Sequence, residues 1–189
     1  MKKLLFIIAL SLLASACSRG SSCDTTTDER ATTPLMYSAG KGDAKNVRCL
    51  LDSGADVNAA TENGVTALAL AVLDGYTDIA RLLLDKGADV NAADKLGFTA
   101  LMLAVIKDYT DIVHLLLEKG ANVNTANKEG VTALLQATYH EHTDTVRLLI
   151  EKGANVNAVD KEGNTALQIA KSDGNTAIVE ILRAAGAEE

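Results

Sequence analysis

The stretch Gly87-Ala88-Asp89-Val90-Asn91 recurs 33 residues later as Gly120-Ala121-Asn122-Val123-Asn124, and this sequence repeat decides the fold. Its first residue belongs to a series with the same spacing: Gly54, Gly87, Gly120, Gly153 and Gly186. A second series of the same period is a Thr-x-Leu element, which begins at Thr33, Thr66, Thr99, Thr132 and Thr165. A fixed period of this length predicts a stack of small units, since each unit is too small to bury its own apolar face.

Each repeat carries the signals of two short helices. The threonine of Thr-x-Leu can cap the first helix, and apolar residues follow it at helical spacing, as Leu101 and Ala104 do. The second helix carries a run such as Leu115-Leu116-Leu117 and ends at the repeated glycine, where a positive φ suits a helix end. A glycine turn opens four of the units. The predicted units are 28–60, 61–93, 94–126, 127–159 and 160–189.

This pattern resembles the ankyrin repeat over residues 28–189. The resemblance implies an all-α solenoid of five stacked helix-turn-helix units joined by β-hairpin-like loops. The family's Thr-Pro-Leu-His signature is incomplete, because Pro34 is its one proline. Its histidine is replaced in every unit, by Met36, Ala69, Met102, Leu135 and Gln168. We therefore expect fewer of the family's usual hydrogen bonds between units, but the same fold.

The two terminal units differ from the others in the way that a stack requires. In the last unit Lys171 and Arg183 stand where the inner units have less polar residues, and terminal units need a polar outer face. The first unit lacks the opening glycine and has Cys49 at a position of Leu or Ile. These two units are predicted to cap the array.

The first 16 residues are predicted to be an export signal. Lys2-Lys3 is a basic start, Leu4 to Ala14 is a short apolar segment, and Ala14-Ser15-Ala16 offers small residues at a cleavage position. Without Lys2 and Lys3 the chain keeps 16 basic side chains against 25 acidic ones, a charge of −9.

Ala14-Ser15-Ala16-Cys17 resembles the lipobox of bacterial lipoproteins. The resemblance implies that Cys17 is lipidated and becomes the new N-terminus, and Ser18 after it favours the outer membrane. Such an anchor would hold the domain at the cell envelope, facing the periplasm or the surface. The alternative is an ordinary signal peptide with an incidental cysteine. Residues 17–27 are then a flexible tether, or an extension that pairs with the first repeat.

Composition and motifs exclude several classes of function. A net charge of −7 without a basic run argues against nucleic acid as the partner. Phosphate loops, nucleophile elbows and paired metal cysteines are absent from the sequence, so we expect no enzyme, no cofactor, no metal and no small-molecule substrate. His140-Glu141-His142 is the nearest approach to a catalytic group, and it is predicted to be a solvated turn between two helices.

Two cysteines follow Cys17. Cys49 is predicted to be a buried free thiol, because it takes the place of a leucine. The alternative is a disulfide between Cys49 and Cys23, which an exported protein could form.

The ankyrin resemblance also implies where a protein partner binds: at the turn tips and on the inner face of the first helices. Carried over to this chain, that surface comprises Val65, Leu73, Tyr76, Lys95, Leu96, Phe98, Ile106, Lys107, Tyr109, Val131, Tyr139, His140 and His142. The expected function is stoichiometric binding of another protein at the bacterial cell envelope. Narrower alternatives are an antidote that inhibits one periplasmic enzyme, or a protein that stabilises one. A hydrolytic enzyme is the alternative from another class, and a structural spacer of the envelope is a third.

Overall fold

The structure, a computed structural model, describes residues 23–27 and 33–188. These residues form ten short helices, with isolated antiparallel bridges in place of strands. The helices are α1 Pro34–Lys41, α2 Ala44–Asp52, α3 Ala67–Leu73, α4 Thr77–Asp85, α5 Ala100–Ile106, α6 Thr110–Glu118, α7 Ala133–Tyr139, α8 Thr143–Glu151, α9 Ala166–Ser172 and α10 Thr176–Ala184. Each unit contributes one pair of helices, so the predicted all-α stack of five helix-turn-helix units is confirmed.

The threonines begin the first helix of every unit. In the third unit the Thr99 side chain accepts a hydrogen bond from the backbone N–H of Met102, and the other four threonines do the same three residues ahead. This bond satisfies one of the free N–H groups that every helix start leaves. In the last unit Gln168 reaches back to the N–H of Thr165 and completes a capping box.

Apolar residues of both helices meet in one continuous core. Leu101, Met102 and Leu116 of the third unit are almost completely buried, as are their equivalents in the neighbouring units. The first helices of successive units pack more closely with one another than the second helices do. The array therefore bends toward its first helices, which line the concave side.

Successive units are also joined along the loops that connect them. In each loop an antiparallel bridge closes a hairpin, such as Ala93 with Thr99. The backbone N–H of Lys128 donates to the carbonyl of Leu96 in the preceding hairpin over 2.9 Å, and the two equivalent bonds are made by Lys95 and Lys161. The hairpins thus form a continuous edge of main-chain hydrogen bonds.

A ladder of asparagines runs beside these hairpins. Asn91 donates to the carbonyl of Gly120 over 3.3 Å and accepts from the N–H of Asn122 over 2.8 Å. The same pair of bonds is made by Asn58, Asn124 and Asn157. Although the signature histidines are missing, backbone groups and asparagines make hydrogen bonds between successive units.

The N-terminal segment departs from the prediction. Cys23 and Cys49 form a disulfide, with their Cα atoms 5.6 Å apart. The prediction of a buried free thiol at Cys49 was wrong, because the first unit presents this residue on an outer face that residue 23 can reach. The backbone of Asp24 is hydrogen-bonded to Asn46 of α2, so Cys23 and Asp24 contact the first repeat.

The described helices are at most nine residues long, and none of them is long and apolar enough to cross a membrane. At the far end of the array Lys171 and Arg183 are exposed, as the last unit's predicted role as a cap requires.

Candidate partner-binding surface

One position on the concave side changes character along the array. It lies at the end of the first helix and reads Gly40, Leu73, Ile106, Tyr139 and Ser172 from the first unit to the last. The three middle units carry large apolar side chains there, and the two end units carry small or polar ones. Leu73, Ile106 and Tyr139 are called the apolar row below.

The apolar row is open to solvent for most of its length. Leu73 is 38% exposed and Tyr139 is 69% exposed, whereas Ile106 between them is half-buried. Burial of large apolar side chains against a partner is favourable, because each Å² of apolar surface removed from water contributes about 25 cal/mol of free energy. Units two to four therefore present an exposed row of apolar side chains.

Charged and polar side chains accompany the row. The next position along the chain holds Lys41, Asp74, Lys107, His140 and Asp173, all of them exposed. At the hairpin tip of the third unit Lys95 and Leu96 are exposed as well, Leu96 by 61%. An apolar centre with a polar rim is the usual anatomy of a protein interface.

The fourth unit gathers three rings at its turn. The ring of His140 meets that of Tyr139 edge-on at 5.3 Å between centroids, and it stacks on that of His142 at 5.7 Å. His140 ends α7 and His142 precedes α8, so these residues form the predicted turn between two helices. Exposed aromatic groups are frequent among the residues that dominate binding energies.

Two tyrosines of the predicted surface are partly used in packing. A Cβ placed on Gly75 would lie 3.0 Å from Cζ of Tyr109, so this ring covers the turn of the preceding unit. Tyr76 covers Gly42 in the same way. Both rings remain partly exposed, but each also packs against the turn of the preceding unit.

His142 takes the place of these tyrosines in the fourth unit and uses a different contact. Its Nδ1 lies 3.6 Å from Oδ2 of Asp108 in the preceding turn. The other carboxylate oxygen of Asp108 accepts a hydrogen bond from the hydroxyl of the buried Thr145 over 3.2 Å. His142 is thus a structural residue of the junction between the third and fourth units.

The remaining predicted residues are half-buried: Val65, Phe98 and Val131. They precede the capping threonines and lie at the base of the hairpins, where Val131 packs against the core. The predicted surface includes Phe98, Ile106 and Tyr109, whereas the structure exposes Leu73, Leu96 and Tyr139 of the same surface more. Comparing the same position across the units is the signal that would have found the row.

The best-defined ion pairs lie on the second helices. Lys86 Nζ lies 2.8 Å from Oδ1 of Asp52, and Lys119 Nζ lies 2.6 Å from Oδ1 of Asp85, each pair joining two neighbouring units. The hydrogen bond from the lysine lowers the pKa of each aspartate below its usual value. All four side chains are well exposed, so these pairs orient neighbouring units and add little stability.

The described residues hold no group of three His, Cys, Asp or Glu side chains that could bind a metal ion. Cys17 lies outside the described residues.

Comparison with known proteins agrees with the architecture. The family model "Ankyrin repeats (3 copies)" matches residues 7–94, 60–127 and 101–189, which together span most of the chain. A search of curated proteins finds no similar chain. The family's repeats are typical of protein–protein interaction and not of catalysis.

Proposed function

The chain belongs to the ankyrin repeat family, and from this premise we propose that it is a protein-binding lipoprotein of the bacterial cell envelope. It acts by stoichiometric association with another protein and catalyses no reaction. Inhibition or stabilisation of one periplasmic enzyme is the narrower form of this function, and the identity of the partner decides between them.

The apolar row carries this proposal. Leu73, Ile106 and Tyr139 occupy equivalent positions in adjacent units, so they lie about 10 Å apart, the usual distance between packed helices. A row of this kind suits a partner that lies along the concave side and offers apolar side chains to several units. The charged neighbours Asp74 and Lys107 then fix the orientation of that partner.

Export is supported by two independent features. The first is the signal-like segment that ends at Ala16. The second is the disulfide between Cys23 and Cys49, since disulfides persist in oxidising compartments and are rare in a reducing cytosol. The lipobox-like Ala14-Ser15-Ala16-Cys17 then makes Cys17 the proposed lipid site, and Ser18 favours the outer membrane.

The binding surface is tested with the double variant Leu73→Ser, Tyr139→Ser. The partner is first captured from solubilised envelope on the parent protein and identified by mass spectrometry. The variant should then bind this partner more weakly than the parent does, by about 2 kcal/mol or more, which is about thirtyfold in Kd. Both side chains are exposed, so the melting temperature should change little.

The matched control lies on a second helix. His114→Ala with Glu118→Ala changes two exposed residues of α6 and should leave the affinity intact. Loss of binding in the control, with the row variant unaffected, would place the interface on the convex side and overturn the proposed surface.

The lipid anchor is tested separately. Mass spectrometry of the mature protein should show an acylated Cys17 at the N-terminus, and Cys17→Ser should release the protein from the membrane. An unmodified chain that begins at another residue contradicts the anchor without affecting the binding surface.

A further inference from the structure

Cys23 and Asp24 lie where a preceding unit would pack. Asn46 of α2 corresponds to Thr145 of α8, and the Thr145 hydroxyl contacts Asp108 of the unit before it. Cys49 corresponds likewise to the buried Leu115 and Leu148. Asn46 and Cys49 therefore lie on the face by which a unit packs on its predecessor, and in the first unit Cys23 and Asp24 contact this face.

Two kinds of contact hold the segment there. The Asn46 amide pairs with the backbone of Asp24: its Oδ1 accepts from the N–H over 2.8 Å and its Nδ2 donates to the carbonyl over 2.9 Å. The covalent contact is the bond between Cys23 and Cys49. Cys23 is half-buried and packs against the core, whereas residues 24–27 are exposed.

The non-covalent contacts are few. Hydrogen bonds of this kind each contribute about 0.5–1.5 kcal/mol, while ordering one residue costs about 1–2 kcal/mol. Five residues held mainly by one amide and one half-buried side chain therefore depend on the covalent bond for their position.

We propose that the Cys23–Cys49 disulfide is a reversible thiol clamp, and that its reduction by a dithiol releases residues 23–27 and uncovers the outer face of the first unit. A thiolate of the dithiol attacks one sulfur and displaces the other as a thiolate, which forms a mixed disulfide. The second thiol of the reductant then resolves this bond. The reductant ends as a disulfide after giving two electrons, and its two protons end on Cys23 and Cys49.

Ser53 assists the exchange. Its hydroxyl lies 3.4 Å from Sγ of Cys23, and it is the donor because a disulfide sulfur carries no proton. A donor at this distance stabilises the thiolate that forms on Cys23 when the attack occurs at Cys49. A better leaving group makes the exchange faster.

Release also changes the reach of the chain, a consequence that rests on the proposed lipid at Cys17. With the clamp closed, five residues lie between Cys17 and its fixed point at Cys23. With the clamp open the next described contact begins at Thr33, ten residues later, which adds at most about 35 Å of extended chain.

The clamp is tested on the purified chain by hydrogen exchange with and without dithiothreitol. Reduction should accelerate exchange at the amide of Asp24 by at least about tenfold, because its hydrogen bond to Asn46 opens more often. Exchange in α8, three units away, should not change. The double variant Cys23→Ser, Cys49→Ser should resemble the reduced protein and should not respond to dithiothreitol.

Two substitutions separate the parts of the clamp. Asn46→Ala removes both bonds to Asp24 and should shift the thiol–disulfide equilibrium toward the reduced form by at least about fivefold. Ser53→Ala should slow reduction without a comparable shift of that equilibrium. Unchanged exchange at residues 23–27 after complete reduction would overturn the proposal, as would free thiols at Cys23 and Cys49 in the protein purified under air.

Discussion

The two long edges of the array are built differently. Along the hairpin edge, the second, third and fourth units repeat one arrangement: a glycine turn, a main-chain bond to the next hairpin and an asparagine of the ladder. Along the turn edge, where the first helix of each unit passes into the second, the contacting pair changes from unit to unit. From the first junction to the last, the pairs are Gly42 with Tyr76, Gly75 with Tyr109, Asp108 with His142, and Glu141 with Asn175.

The difference follows from which atoms make the contacts. Main-chain bonds at the hairpin edge require the two backbones to approach closely, and only glycine permits this at Gly64, Gly97 and Gly130. At the turn edge side chains make the contact, so an aromatic ring, an ion pair or a hydrogen bond can each fill the space. Variation is therefore tolerated along the turn edge, next to the apolar row, and this is where partner specificity can reside.

The largest effect is expected from Gly97→Ala. Gly97 has a φ of 87°, and a Cβ there would lie 2.9 Å from the backbone Cα of Asn127. Left-handed backbone costs about 1–2 kcal/mol for alanine and the clash adds about 1–3 kcal/mol, so we expect a loss of about 3 kcal/mol. Chemical denaturation measures it.

Gly163→Ala is the matched control. Gly163 has a φ of 86°, but a Cβ on it would meet nothing within 4 Å, since no further hairpin follows in the described array. It should lose only the backbone term, about 1–2 kcal/mol. Equal losses in the two variants would show that close approach to the next hairpin is unimportant.

The second effect concerns the asparagine ladder. Asn91→Ala removes one bond to the carbonyl of Gly120 and one to the N–H of Asn122, which should destabilise the array by about 1–2 kcal/mol. Asn157→Ala is the comparison at the last described step of the ladder, where the bond to Gly186 is 3.5 Å long. Thermal unfolding should show the smaller loss there, and a reversed order would contradict the ladder's role in joining units.

The repeated residues predicted the helices and the glycine turns, and the ankyrin resemblance implied the hairpins. Thr99, Gly97 and the run at Leu115 recur in register, and each acts through local backbone geometry that a sequence displays directly. The disulfide at Cys49 was not predictable in the same way, because its formation depends on which face of the first unit lies open. That face is defined by packing between units and not by any residue within one.

The candidate surface was predictable only in part. Its predicted position in units two to four follows from the repeat, and Leu73, Leu96 and Tyr139 are exposed in the structure. The share of Tyr109 and His142 in packing could not be read from the sequence, because it depends on the residue 34 positions earlier in the neighbouring turn.

The third effect should have opposite signs at two positions of the turn edge. Asp108 and Glu141 both have a positive φ, 55° and 60°, which costs a non-glycine residue about 1–2 kcal/mol. Glu141→Gly relieves this strain and loses one exposed hydrogen bond to Asn175, so the protein should gain about 0.5 kcal/mol after the added unfolded-state entropy.

Asp108→Gly should instead destabilise the protein by about 1 kcal/mol. It relieves the same strain, but it removes the contact with His142 and leaves the hydroxyl of the fully buried Thr145 without its partner, a loss of about 1–3 kcal/mol. Denaturant midpoints of the two variants decide the matter. A gain of stability in both variants would mean that Thr145 finds another acceptor and that glycine is the more stable residue at this position of the turn in both units.

The smallest effect is a pH dependence at the hairpin edge. The Asp160 carboxylate accepts hydrogen bonds from the side chain and the backbone N–H of Asn164 and from the N–H of Glu162. These bonds, the Asn164 side chain foremost, hold the pKa of Asp160 below its usual value. The pKa of Asp160 is lower in the folded protein, so this stabilisation is fully present above the pKa of the unfolded chain, about 4, and is lost as the pH falls through the pKa of the folded protein.

In the preceding hairpin the neutral Asn127 accepts the two equivalent backbone bonds, so Asp160→Asn should keep the turn and make stability depend less on pH in acid. Melting temperatures between about pH 5 and pH 2 measure the difference between parent and variant, in which the similar contributions of Asp52 and Asp85 cancel. Parallel curves for the two proteins would show that the charge of Asp160 contributes nothing and that the two hairpins are interchangeable.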